Sequence, residues 1–402
     1  MTSSRWLEFL LLPVLFVGMT GCGGLGASST TVAGSTPTPS PTPTAGTPSS
    51  ATAPKFAFWY EPWSPQITPA AVKPADVVIG LAPFNVSKAH AIGKLVMQYQ
   101  SYYQAIPNSL LLTSTADLAD VGFEINHQFV VNIFGNPPNS YVMCPNSVIF
   151  HQRVQQYVQE AINSGYDGLF VDNTFFDPPA HRVCDGAHAH VDPTAEGGRA
   201  YLTLLSEVRQ TLKAHNSKAI LMTNPGDPFW ADLMVTGSPT VWDLSDYVLW
   251  ESWGYMSYSD SRHDNWANAI PESFHYVQNH PDKAAKLVML SYVRSVTEAR
   301  FAFAVARFFG FNWTANLGAS GIGTYLNSIP FSLGEPIGPL PAQNSVLHRA
   351  FEHGEVFVNI SAIPQSVTVP AGTLYLGATT KDVSTSAVQD LQPRTAAIVL
   401  SK

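Results

Sequence analysis

Charge is scarce in this chain. Only 12% of its 402 residues are Asp, Glu, Lys or Arg, about half the share of roughly 25% usual in globular proteins. The net charge is -8, with no run of Lys or Arg, which argues against nucleic acid as a partner. Cysteine is down to three residues. The N-terminal apolar run, Phe9 to Val17, is too short to cross a bilayer as a helix. What is present is 45% hydrophobic and 11% aromatic residues, enough for a barrel-sized domain and a smaller one. Few charges with many Trp, Tyr, Asn and Ser suit work outside the cytoplasm on neutral polar ligands.

The first 22 residues read as a targeting segment. Arg5 precedes the apolar run, which has the dimensions of a signal-peptide h-region and ends in Met19-Thr20-Gly21-Cys22. Small residues just before a Cys resemble the lipobox of bacterial lipoproteins, so Cys22 is expected to carry a lipid anchor in the cell envelope. A plain secretory signal is the alternative. Residues 23–54 are Ser, Thr, Pro, Gly and Ala with almost no charge; they cannot bury enough surface to fold and should form an extended tether. In an exported chain the two remaining cysteines, Cys144 and Cys184, suggest one disulfide pinning two loops. His181, His188 and His190 lie near Cys184 and Asp185, but their spacing fits no standard zinc pattern and a Cys in a disulfide is no ligand. Neither a metal nor a cofactor is expected.

The chain is organised around Gly165-Tyr166-Asp167-Gly168-Leu169-Phe170-Val171-Asp172-Asn173. Val154, Tyr157, Val158, Ala161 and Ile162 recur before it at helical spacing, and Gly165 stands where a helix would be capped. The Leu-Phe-Val run has no polar alternation, as in a strand buried on both faces of a parallel sheet. Helix, turn, buried strand and terminal carboxylate form one unit of an α/β barrel. Similar runs occur at 56–60, 76–81, 94–99, 218–223, 246–250, 286–290 and 321–325. Helical stripes separate some of them: Tyr201, Leu204, Leu205, Val208 and Leu212 form one, and Thr297 to Phe308 is another. The expected fold is therefore α/β, a (β/α)8 TIM barrel over residues 55–345. The strand-like Phe129 to Phe134 offers a competing third strand; we read it as part of a rim insertion. From residue 346 to 402, short runs separated by turns, without helices, predict a small C-terminal antiparallel β domain.

Active sites of such barrels lie at the C-terminal ends of the strands. Two acids stand there after strong apolar patterns, Asp172 on the fourth strand and Glu251 on the sixth. Glycoside hydrolysis needs two carboxylates flanking the scissile bond, and strands two apart can place theirs across a cleft. Trp59, Glu61, Trp63, Tyr99, Asn173, Asn224, Trp253, Tyr292, Arg294 and Asn327 sit at or near other strand ends. They are the expected substrate-binding set, aromatics against sugar faces and polar groups on hydroxyls. Trp250 and Trp253 are expected to raise the pKa of Glu251 as proton donor, with ionised Asp172 as its partner.

Phe56-Trp59-Tyr60, the Gly165-to-Asp172 motif and Trp250-Glu251-Ser252-Trp253 resemble the bacterial barrels called hypothetical glycosyl hydrolase family 15. More distantly they are similar to polygalactosaminidase and α-galactosidase-like barrels. The resemblance spans most of residues 55–400. It implies a (β/α)8 glycosidase with Asp172 as nucleophile or base and Glu251 as general acid, acting on an extracellular polysaccharide or oligosaccharide. The alternative is a carbohydrate-binding or exopolysaccharide-assembly lipoprotein that keeps the barrel without the chemistry.

Overall fold

The computed structural model describes residues 54–58, 74–107, 109–131, 140–174, 181–226, 228–229, 239–256, 263–315 and 322–402. The proposed signal, Cys22 and the tether up to residue 53 lie outside them, as do Trp59, Glu61 and Trp63. Among the described residues, no helix is long and apolar enough to cross a membrane.

The unit around Asp172 forms as its sequence dictates. Ser147 caps helix α2 (Val148–Asn163), its hydroxyl accepting from the Phe150 N–H at 3.1 Å. The face bearing Val154, Val158, Ala161 and Ile162 is buried. Gly165 then takes a left-handed φ of 84°, a conformation that only glycine adopts cheaply. The chain reverses into strand β4 (Gly168–Asp172), buried up to its last residue. A side chain at Gly168 would meet the Ile220 carbonyl of the next strand at 2.1 Å, so the close strand approach also requires glycine. Asp167 serves this lower end: it accepts from the Val96 N–H at 2.7 Å and faces His90 at 2.8 Å.

Eight parallel strands follow one another in a single sheet: β1 (Phe56–Phe58), β2 (Val77–Ile79), β3 (Leu95–Ser101), β4, β5 (Ile220–Thr223), β6 (Tyr247–Trp250), β7 (Leu287–Ser291) and β8 (Asn312–Ala315). The last lies back against the first, so the sheet is nearly closed into a barrel. Around it run α1 (Pro83–His90), α2, α3 (Gly197–His215), α4 (Trp266–Asn279) and α5 (Val296–Phe309). All five residues of the Tyr201 stripe on α3 are buried.

The eighth strand corrects the sequence reading. It is Asn312–Ala315, paired with β7, whereas Ile322–Asn327 is a helix, α6. The signal was a helix ending at the left-handed Gly310, φ 84°, the same grammar that introduces β4. The four strand residues, Asn-Trp-Thr-Ala, carry no apolar run to reveal them. The strand before Asp172's is the one at Leu95–Ser101, which pairs directly with β4; among the described residues between Ser101 and α2, every strand is two residues long, and Asn132 to Phe134 lie outside the described residues.

The C-terminal region is antiparallel. A five-stranded sheet has the order β9 (Val346–Phe351), β10 (Gly354–Asn359), β15 (Thr395–Leu400), β12 (Gly372–Leu376), β13 (Thr379–Val383). A separate pair, β11 (Gln365–Val369) and β14 (Ala387–Leu391), completes it. Phe357, Val369, Leu374, Leu391 and Val399 form its own core. Helix α5 packs on β8 of the barrel and on β10 and β15 of this sheet, and every residue from Ala299 to Phe309 is buried. Helices apolar on all sides are those enclosed on all sides. Its Arg300 is satisfied by the carbonyls of Gly377 and Thr379 at 2.9 and 2.6 Å.

The second correction concerns the cysteines. Cys144, at the end of the insertion, and Cys184, in the loop after β4, come together as expected but as free, buried thiols. The Cys184 sulfur faces the His188 ring at 3.8 Å, rather than another sulfur at the roughly 2.05 Å of a disulfide. A hydrogen bond from Cys144 holds the Cys184 thiol down to about 3, while burial pushes Cys144 up.

Candidate active site

Alternation along the strands builds the site. Side chains two residues apart share a face of a sheet. The barrel interior is filled by Met97, Phe170, Met222, Leu249 and Leu290, with others below them. Two residues further along each chain stand Tyr99, Asp172, Asn224, Glu251 and Tyr292. The polar ring is thus the next layer above an apolar barrel plug.

Its members are joined by hydrogen bonds. The Asn224 side-chain nitrogen donates to Asp172 Oδ1 and to Glu251 Oε2, each at 2.7 Å. The Tyr99 hydroxyl donates to Asp172 Oδ2, and the Tyr292 hydroxyl donates to Glu251 Oε1 at 2.7 Å. The Asn173 N–H adds a third donor to Asp172, at 2.9 Å. Asn224 itself is fixed: its Oδ1 accepts from the Gly226 N–H at 3.0 Å, which commits the amide nitrogen to the acids. Its backbone N–H donates to Val171 and its carbonyl accepts from Thr174, at 2.9 and 2.8 Å.

Each acid is followed by a residue in the left-handed region, Asn173 at φ 53° and Ser252 at φ 55°. Non-glycine residues are uncommon there. The turn ends the strand sharply and leaves the carboxylate as its last inward side chain.

Burial, and secondarily the charge of Glu251, pushes the Asp172 carboxyl up to about 6 against the hydrogen bonds from Tyr99 and Asn224, which pull it down. Two bonds of 2.7 Å sharing one nitrogen keep the accepting oxygens of Asp172 and Glu251 within about 5.4 Å of each other.

The other expected residues divide. Tyr99, Asn173, Asn224 and Tyr292 are in the ring, each bonded to an acid. Arg294 is exposed near it, its N–H donating to Glu298 at 2.5 Å and its carbonyl accepting from Tyr325 at 3.0 Å. Asn327 is exposed at the end of α6, since the strand it was assigned to is a helix. Trp253 is not a sugar platform. It is 1% exposed, its indole N–H donates to Ser273 at 3.0 Å, and its ring lies edge-on to Trp266 at 4.8 Å. The left-handed Ser252 turns the chain after Glu251, so alternation no longer carries Trp253 inward. Trp250 faces the outer layer, against Phe229 and Tyr276; neither indole is placed to desolvate Glu251. Sequence reading missed Ser101, whose hydroxyl accepts from Asn173 Nδ2 at 3.4 Å because β3 runs past Tyr99. It also missed the part played by Gly226, marked only by the Pro-Gly turn that contains it.

No protein-family model matches the chain, and no curated protein does. Solved structures of similar fold do exist. A noncanonic maltogenic α-amylase, AmyB from Thermotoga neapolitana, superposes with a TM-score of 0.51 at 9% identity, over 88% of this chain and 97% of that one. The debranching enzyme of Nostoc punctiforme gives 0.51 at 10% identity, over 87% and 98%. The glycoside hydrolase domain of PelA from Pseudomonas aeruginosa gives 0.46 at 18% identity, over 66% and 95%. At these identities the likeness is one of fold, a barrel that glycoside hydrolases use.

Proposed function

We propose that this protein is a glycoside hydrolase that cleaves O-glycosidic bonds of an extracellular polysaccharide or oligosaccharide, in the group its motifs resemble. One observation carries the reading: two carboxylates, one ending β4 and one directly following β6, are bridged by the Asn224 amide. Oxygens held no more than about 5.4 Å apart by the shared amide suit the retaining reaction, in which one carboxylate attacks directly; inverting enzymes keep about 6.5–9.5 Å to admit a water. Asp172 is the nucleophile. Three donors aim at it, and above pH 6 it is ionised. It attacks the anomeric carbon while Glu251 gives its proton to the departing oxygen; Glu251 then takes a proton from the water that releases the sugar. Asn224 and the two tyrosines hold both oxygens of each acid in line. Trp59, Glu61, Trp63, Arg294 and Asn327 remain proposed substrate contacts.

The deciding experiment is turnover on a panel of bacterial and fungal polysaccharides by Asp172→Asn and Glu251→Gln. Each should lose at least 10²-fold in kcat with its circular dichroism unchanged. Normal turnover in either variant removes that acid from the mechanism, and glycan binding without turnover by the unsubstituted protein favours the binding reading. We further propose a lipid anchor at Cys22 and a tether over residues 23–54, with the barrel beginning at 55 and the β domain at 346. Metabolic labelling with palmitate tests the anchor, and label persisting in Cys22→Ser refutes it.

A further inference from the structure

Away from the acids, four soft ligands converge where the insertion meets the loop after β4. One donor atom from each of Cys144, Cys184, His188 and His190 lies within 4.8 Å of all the others. The chain is built to bring them together. Ser147 bridges to His190, Val148 N–H donates to Ala189 at 3.0 Å, and Val191 N–H donates to Asn146 at 2.8 Å. The Asp192 N–H adds a bond to the Asn146 side chain at 3.0 Å. A methyl group at Gly186 would strike the His188 ring at 2.4 Å, so glycine there lets the imidazole fold back over the cysteines.

Two details suit a cation better than a bare polar cluster. His188 presents Nε2 to the Cys184 sulfur while its Nδ1 is held by the Ala119 carbonyl at 3.1 Å. Metal-bound histidines are usually oriented in this way by a carbonyl or carboxylate on the far nitrogen. His190 Nε2 is buried with no hydrogen-bond partner, a cost that coordination would remove.

We propose that Cys144, Cys184, His188 and His190 form a structural zinc site that fastens the rim insertion to the loop after the Asp172 strand. Two thiolates and two imidazoles are a tetrahedral S2N2 set, which favours Zn2+. With Zn–S of about 2.3 Å and Zn–N of about 2.0 Å, the tetrahedron has edges of roughly 3.3–3.8 Å. The Cys184–His188 pair is already there at 3.8 Å, and the widest pair must close by about 1 Å. Binding releases the protons of any thiols still protonated. Four protein ligands leave no open position, so the ion closes a loop rather than joining the chemistry. The sequence spacing hid the site because Cys144 is far upstream and only the fold returns it. The inference is independent of the glycosidase reading.

The test uses the full chain. Protein made with zinc in the medium should carry one equivalent by elemental analysis. The apoprotein loaded with Co2+ should show the intense visible bands of a tetrahedral thiolate site. Cys184→Ala and His190→Ala should each weaken zinc binding at least tenfold, and Gly186→Ala, which retains all four ligands, should weaken it as well. Where a variant does not fold, the cobalt spectrum of the unsubstituted protein decides. A Cys144–Cys184 disulfide in unreduced peptide maps, zinc held equally by the variants, or an octahedral cobalt spectrum would each overturn the proposal.

Discussion

Asp172 and Glu251 are joined through a single nitrogen, the side-chain amide of Asn224 at 2.7 Å from an oxygen of each. Neither carboxylate can turn without disturbing the other. The bridge also offsets part of the repulsion between two acids set close together at low dielectric.

Asn224→Ala removes that bridge. We expect a loss of about 1–3 kcal/mol at neutral pH, as for a buried polar group left unpaired, and a fall in kcat of order 10²-fold. Urea denaturation and the rate on the substrate found by the panel check both. An unchanged midpoint would mean that the carboxylates do not depend on the amide.

The raised pKa of Asp172 has a signed consequence. The folded carboxyl, at about 6, holds its proton more tightly than an ordinary one at 3.8. Its stabilising effect is therefore present below about pH 4 and is lost as pH rises through 6. Asp172→Asn should gain stability over the parent as pH rises from about 4 to about 7, and the gain should level off above 6. Paired denaturation curves at the two ends check this; a gap that stays constant contradicts it. The comparison with the parent cancels groups such as Asp243, held low by Thr240, whose contribution is instead lost as pH falls.

Tyr99→Phe deletes a hydrogen bond that favours the ionised form of Asp172. The acid limb of the kcat profile, expected near pH 6, should move to higher pH while KM changes little. An acid limb that moves down or stays put would separate Tyr99 from the titration of Asp172.

Trp253→Ala should cost about 3–5 kcal/mol, the price of a large core deletion, because the indole is enclosed against Trp266 and Phe311. Trp253→Phe should leave substrate affinity unchanged. A raised KM in that variant with full thermal stability would restore the residue to the binding surface.

Parts of this arrangement are legible in the sequence because they repeat a local rule. The stripe on α2, the glycine at 165 and the Leu-Phe-Val run each follow from helix and strand periodicity, and they locate Asp172 without any tertiary information. The rest depends on what the backbone does next. Trp253 lies two residues past Glu251 and by alternation belongs to the site; a single left-handed residue, Ser252, sends it into the core. Strand β8 is set by its neighbour on the sheet rather than by its own composition. Cys144 and His190 meet only because the insertion folds back onto the loop that follows β4.

Helix α5 gives the change of pattern at residue 346 a different meaning. Every residue from Ala299 to Phe309 is buried between the barrel and the C-terminal sheet, and Arg300 donates from Nη1 to the turn that ends β12 and begins β13. A chain cut at 345 would therefore not be a smaller barrel but one with an uncovered apolar helix face and a cation left with only its Ser328 bond. The two sequence patterns are expected to unfold together, in a single thermal transition by calorimetry.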